Sequence, residues 1–485
     1  MYALRRWSVR HAGGLRRVYD AIARRAPALA PWVRALGARR SEVVVGPIER
    51  LAKETLFDCR MCGQCVLSST GMACPMNCAK EMRNGPCGGV RSDGTCEVRP
   101  DMRCVWLEAS DGARRIAGVG IDVPDAILAP LDRRRQGSST WLQVICEPSQ
   151  PHAPAAAAAA AASAAVPVTA SASAAAPAGE PGAFERACRS GQVVVTVEVA
   201  PPDSADPLAL VERASRFEGL ADAINITDGA GGNCHMSSVA ASAILVAHGM
   251  TPVYQVACRD RNRIAIQGDV LGAAALGVRD ILCLTGDDVS QGDHPQAKPV
   301  FDLDAVSLLG VIRGMRDRSE FASGRRLDSP PRVFVGATAN PFVPPYRDRI
   351  ANLAKKVEAG ARFIQTQFCF DLALLEDFMR QVRDRELHRR CTIIVGVGTL
   401  RSARALQWMA EHVPGVHIPP AVLERIAGSA NQQAEAKRVC IETIQAAVGI
   451  EGVAGVHLMG HRNEDVLADI IVESGLRRPA SPGRA

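Results

Sequence analysis

The sequence predicts an α/β chain built as a (β/α)8 barrel, preceded by a smaller N-terminal cysteine-rich metal-binding domain and an Ala/Pro linker. Three observations predict it. Short apolar, β-branched runs alternate with helical patterns from Gly191 to about Leu476. Eight of the sixteen cysteines fall between Cys59 and Cys104. A tract of Ala, Pro and Ser separates the two regions and has too little apolar bulk for a core.

The first element, residues 1–50, is a basic arm. It holds eleven arginines, no lysine and three acids (Asp20, Glu42, Glu49), a balance of +8, so the rest of the +6 chain carries −2. It has no apolar stretch of the secretory kind, and a helical arm facing solvent or a partner is expected; an Arg-rich, acid-poor organellar presequence is the alternative. A nucleic-acid role is not expected, because the arm lacks interleaved aromatics and the body is not basic. No apolar run approaches the roughly 20 residues of a membrane helix, so no membrane insertion and a cytoplasmic location are expected.

Residues 51–147 form the cysteine-rich domain. The spacing is Cys59-x2-Cys62-x2-Cys65-x8-Cys74-x3-Cys78-x8-Cys87-x8-Cys96-x7-Cys104. Clustered cysteines in a reducing compartment read as metal ligands, and scattered ones as small core residues. Eight thiolates suggest two four-thiolate sites. The opening C-x2-C-x2-C favours [4Fe–4S] clusters; zinc, usually held by paired C-x2–4-C knuckles, is the alternative, and disulfides or free thiols a third. Residues 148–184, including Ala155 to Ala162 unbroken, are the linker.

Residues 185–478 form the barrel. Strands are expected at Val193–Val199, Ala223–Thr227, Val253–Cys258, Asp280–Thr285, Val333–Thr338, Phe363–Phe368, Thr392–Val397 and Gly455–Met459. Helical patterns follow the first seven, as at Arg263–Gly277 and Asp348–Ala359. Eight such units over about 280 residues match a (β/α)8 barrel. A doubly wound sheet is the rival, weakened by the lack of G-x-G-x-x-G after any strand.

Barrel chemistry sits at the C-terminal strand ends. There, Glu198 is a carboxylate within an apolar strand, where burial is expected to raise its pKa toward that of a general acid; a Glu satisfied by a barrel-layer partner is the plain alternative. Asp287 follows Gly286, where backbone can approach a ligand; a helix N-cap is its alternative. Gln367 offers donor and acceptor for a heterocycle edge, or simply closes a strand.

From about Val193 to Leu476 the chain resembles the methylenetetrahydrofolate reductase family. The resemblance rests on Glu198 with Pro201-Pro202, the Thr227-Asp228-Gly229-Ala230 turn, Gly286-Asp287, Lys356 with Ala359-Gly360-Ala361, and Thr366-Gln367-Phe368. It implies that Glu198 is the general acid opening the bridging methylene to an iminium, that Asp287 lies near the flavin N1 edge and the pterin, and that Gln367 hydrogen-bonds the pterin. Thr227, Asp228, Gly229, Ala230, Gln255, Gly286, Asp287, Ala339, Asn352 and Lys356 would bind the flavin, FAD first and FMN as the alternative. Methylenetetrahydrofolate is the implied substrate, and a homo-oligomer is expected. The family often has Arg where Thr285 stands, His where Gln255 stands, and a Phe near Ala403; these departures leave the flavin type and the donor, NAD(P)H or a protein, open.

The segment Cys59–Trp106 is similar to the cysteine-rich partner of some bacterial reductases of this kind, through Met61-Cys62-Gly63-Gln64-Cys65, Cys74-Pro75-Met76-Asn77-Cys78, Asn84-Gly85-Pro86-Cys87-Gly88-Gly89 and Cys96-Glu97-Val98. It implies electron relay if clusters are bound and a structural role if zinc is. Rival functions are a pterin-dependent methyl-transfer component without redox chemistry, a zinc-dependent thiol methyltransferase (only Cys258 and Cys369 lie near strand ends), and an electron-transfer adaptor with a degenerate barrel.

Overall fold

The computed structural model describes residues 2–117, 127–146, 180–398, 401–460 and 463–477. Most of the linker expected at 148–184 lies outside the described residues. The chain forms two compact units, one of Met1–Pro86 and Gly94–Thr169, the other of Cys87–Asp93 and Ala170–Ala485.

In the first unit the basic N-terminus is helical: α1 (Tyr2–Arg10), α2 (Ala12–Arg25), α3 (Ala30–Leu36) and α4 (Ala38–Phe57). After the cysteine-rich loops come α5 (Val105–Ala117) and α6 (Thr140–Cys146). The arm is not free of the cysteine segment. Val9 and Ala12 are buried, and Arg5 makes a buried 3.2 Å ion pair with Glu108 of α5. The cysteine loops have little regular structure, and their core is a small cluster of Phe57, Leu67, Met72, Met76 and Leu131 with Cys62 and Cys74. The buried pair Lys80–Glu97 also ties the loops together.

The second unit is a closed parallel barrel, β1 through β8 in order, with β1 paired to β8. The strands are β1 (Val194–Val199), β2 (Ala223–Ile226), β3 (Pro252–Ala257), β4 (Asp280–Leu284), β5 (Phe334–Ala339), β6 (Phe363–Phe368), β7 (Thr392–Gly398) and β8 (Val453–Met459). The strands are largely apolar and buried because helices cover the outside and side chains fill the inside. Several helices start at side-chain caps, such as Asp206 accepting from Leu208 N and Asn262 from Ile264 N and Ala265 N, which satisfies donors that the first turn leaves free.

The floor is sealed. A short helix, Ala183–Arg189, precedes β1 and lodges Phe184, fully buried, against Phe334 and Phe363 at ring-centroid distances of 5.9 and 5.0 Å. Val194, Ala223, Val253, Leu282 and Ile394 complete this cluster. A filled floor leaves the C-terminal strand ends as the mouth. No described helix is long and apolar enough to cross a membrane.

Candidate active site

A ring of polar side chains crosses the barrel interior beneath the mouth. Gln365 of β6 donates from Nε2 to Thr196 Oγ1 of β1 (3.0 Å) and to Asn225 Oδ1 of β2 (3.0 Å), and accepts from Asn225 Nδ2 (2.7 Å). Thr196 Oγ1 lies 2.9 Å from His457 Nδ1 on β8. All four residues are buried. Such a layer is tolerable in an apolar core only because its members satisfy one another. With the ring proton on Nε2, His457 Nδ1 accepts from the Thr196 hydroxyl while the Thr196 oxygen accepts from Gln365.

That Nε2 faces Glu198, 3.9 Å from its Oε2. Gln255 Nε2 of β3 approaches the same oxygen at 3.5 Å. Glu198 thus stands at the top of the polar ring. Its side chain is 29% exposed, open to the mouth rather than sealed in the core as its strand pattern suggests.

The loops after β2 and β4 form one wall. Gly229, Gly231 and Gly232 all have positive φ (59°, 66° and 80°). Gly231 N donates to Asp287 Oδ2 at 3.0 Å, and a Cβ on Gly292 would come within 2.0 Å of Gly232 O, so only glycine lets these loops touch. Asp287 is exposed at the rim. The N-cap alternative does not hold for it: Asp288 caps the following turn, accepting from Ser290 N at 2.9 Å. Thr227 is buried, and its hydroxyl is among the buried polar atoms with no hydrogen-bond partner among the described residues. Asp228 is instead occupied, accepting from Ala257 N (2.8 Å), from Ser238 Oγ (2.9 Å) and from Arg261. Its carboxylate organises the loop rather than standing open to a ligand.

The adjoining wall comes from β5, β6 and the helix Tyr346–Ala359. Lys356 Nζ donates to Thr338 O at 2.6 Å. Burial pulls Lys356 down to about 8, and the nearby Arg349 guanidinium adds to this. Asn352, one turn earlier, is buried, and Ala339 closes β5 half-buried. Gln367, half-buried, uses Oε1 to accept from Phe368 N at 2.9 Å. Thr285 accepts weakly from Ala305 N (3.3 Å), and Ala403 begins a helix, Ala403–His412. Among these residues an orphaned hydroxyl, a glycine-lined loop pair and a lysine at one strand-end face fit a large anionic cofactor.

The sequence reading passed over His457, Thr196, Asn225 and Gln365. The available signal was the polar residue inside each of four apolar strands.

The cysteines sort into groups. Cys59, Cys62, Cys65 and Cys74 line one cavity, with Lys53, Glu49 and Arg83. The Cys74 thiol, hydrogen-bonded to Cys59, brings Cys59 down to about 7, and burial raises Cys62. Cys78 is pushed up to about 12 by burial and then by Cys104 and Cys96, which lie close to it. Cys87 belongs with the barrel unit, where its carbonyl accepts from Arg349 at 2.8 Å. All sixteen cysteines are free of disulfides. No three His, Cys, Asp or Glu side chains among the described residues are set to hold a single metal ion.

Residues 183–475 match the family model described as Methylenetetrahydrofolate reductase. The chain belongs to the methylenetetrahydrofolate reductase family. Residues 39–120 match a second family model, Methylene-tetrahydrofolate reductase C terminal. The reductase region is 25% identical over 247 residues to a probable methylenetetrahydrofolate reductase (NADPH) of Caenorhabditis elegans, covering 50% of this chain and 34% of that one. It is 27% identical over 263 residues to methylenetetrahydrofolate reductase 2 of Schizosaccharomyces pombe, covering 52% and 40%. The chain therefore spans well under half the length of these relatives. Among solved structures, an uncharacterized protein from Clostridium thermocellum that binds two copies of 5-methyl-5,6,7,8-tetrahydrofolic acid matches with a TM-score of 0.43 and 12% identity, over 60% of this chain and 97% of that one.

Proposed function

We propose that this chain reduces 5,10-methylenetetrahydrofolate to 5-methyltetrahydrofolate at the barrel mouth, with FAD, or alternatively FMN, as cofactor. The observation that carries the reading is Glu198, held at the mouth between His457 Nε2 and Gln255 Nε2, above a satisfied polar ring. When bound, the reduced flavin supplies the hydride that the bridging carbon receives. The protein's own work is binding, orientation and one proton.

Glu198 donates that proton to the nitrogen that leaves the bridging carbon, so that the carbon becomes an electrophilic iminium. His457 and Gln255 hold the carboxyl in place and stabilise it once it has lost the proton. Asp287 at the rim and Gln367 at the end of β6 offer an acceptor and an amide to the pterin edge. Thr227, Gly229, Ala230, Gly286, Ala339, Asn352 and Lys356 form the cofactor-binding face, with Asp228 shaping it from behind. NAD(P)H or a protein is the donor.

For the cysteine-rich domain we propose a [4Fe–4S] cluster on Cys59, Cys62, Cys65 and Cys74, and a second metal-binding group drawn from Cys78, Cys96 and Cys104. Support comes from four thiols that line one cavity and from the C-x2-C-x2-C spacing of the first three.

Glu198→Gln tests the proton role. It keeps the shape and the flavin but lacks the acid, so turnover with methylenetetrahydrofolate should fall by about 10²–10⁴-fold while flavin absorbance per protein stays constant. Unchanged turnover would remove Glu198 from the reaction.

A further inference from the structure

Lys53 is a cation in an unexpected place. It lies on α4, whose last residue Phe57 leads through Asp58 into Cys59. Its side chain is 8% exposed, and Nζ is 2.5 Å from Glu49 Oε1 and 2.6 Å from Thr140 Oγ1. The same lysine lines the cavity with Cys59, Cys62, Cys65 and Cys74.

Glu49 does not depend on Lys53 alone. It also accepts from Thr140 Oγ1 (2.6 Å), Thr140 N (3.2 Å), Trp141 N (3.1 Å) and Ser139 Oγ. Its carboxylate is seated on the first amides of α6. A buried ion pair is weak support for stability, because desolvation offsets the attraction, and apolar residues of like volume serve as well. The pair instead places a lysine ammonium in the wall of the cavity that the four thiols line. The charges acting on Lys53 include Cys65 and Cys59 beside Glu49.

We propose that Lys53, anchored by Glu49 and Thr140, is the built-in countercharge of the Cys59–Cys62–Cys65–Cys74 site and raises the reduction potential of the cluster held there. This rests on the cluster reading above. Reduction adds one electron to a site already negative, so a fixed cation in the wall of the same cavity favours the reduced over the oxidised state. Glu49, in the same cavity wall, acts with the opposite sign.

The test is an anaerobic preparation of the full chain, assayed for iron and sulfide and then titrated with dithionite and mediators under electron paramagnetic resonance. Lys53→Met should keep iron and sulfide, and the ratio of reduced to oxidised cluster at a set potential should fall about tenfold or more, 59 mV per tenfold for one electron. Lys53→Arg should stay near wild type, and Glu49→Gln should shift the ratio the other way. Opposite signs from the two partners are what a purely structural pair would not produce. If Lys53→Met loses its cluster, Glu49→Gln and Lys53→Arg decide: an upward shift in the first with none in the second supports the countercharge, and an unmoved Glu49→Gln overturns it. Sulfide present with no shift in any variant overturns the role of Lys53. Wild type without sulfide overturns the cluster reading itself.

Discussion

Polar residues inside the barrel meet two fates. Thr196, Asn225, Gln365 and His457 satisfy one another and orient Glu198. Asp280, the first residue of β4, sits near the opposite end, almost wholly buried, with Oδ1 lacking any partner among the described residues. Burial, then the nearby Glu185, pushes Asp280 up to about 8. An unfolded Asp ionises near 3.9, so the folded state keeps a proton that the unfolded state releases. Stability therefore falls as pH rises from about 4 to about 8, and levels off above that. Asp280→Asn should flatten this slope and raise stability at pH 8 by about 1–3 kcal/mol, the scale of a buried polar group left unpaired. Urea unfolding at pH 5 and pH 8 checks it; an unchanged slope would mean that the carboxyl has a partner in solution.

At the scale of elements, the helix Ala183–Arg189 is the piece on which the barrel floor depends. Phe184 is fully buried among Phe334, Phe363 and five aliphatic residues. Phe184→Ala should cost about 3–5 kcal/mol, seen as a lower urea midpoint with an unchanged slope. This helix was not legible in the sequence, because seven residues are too few to show a 3.6-residue period. The strands were legible, since continuous apolar runs bounded by Gly, Pro and Asp mark strands buried on both faces. Phe363–Phe368 matches β6 end for end, and the other strands differ by two residues or fewer at each end. The strand-end residues Glu198, Asp287 and Gln367 were visible as polar punctuation of those runs. The ring behind Glu198 was not: its partners are 92 to 261 residues apart, and local pattern carries no such pairing. For the same reason the sequence offered the eight cysteines as one series, whereas Cys59 to Cys74 share a cavity and Cys87 goes with the barrel unit.

At the scale of the whole molecule, two units divide the proposed work. The barrel presents Glu198 at its mouth, a polar ring beneath it and the glycine-lined loop pair after β2 and β4, the features on which the proposed reductase reading rests. The cysteine-rich unit carries the four thiols and the buried lysine of the proposed cluster site. The basic excess of the first fifty residues lies on helices that pack with that unit, as Arg5 does with Glu108. We propose that the barrel is a flavin-dependent methylenetetrahydrofolate reductase. Its most direct test is to purify the full chain without oxygen, reduce it with dithionite, remove the excess, add 5,10-methylenetetrahydrofolate, and follow flavin absorbance while assaying the folate product. The expected result is a flavin-containing protein whose reduced absorbance returns to the oxidised spectrum, with one 5-methyltetrahydrofolate formed per flavin. A protein without flavin, or a reduced flavin that the folate leaves unchanged, would contradict it.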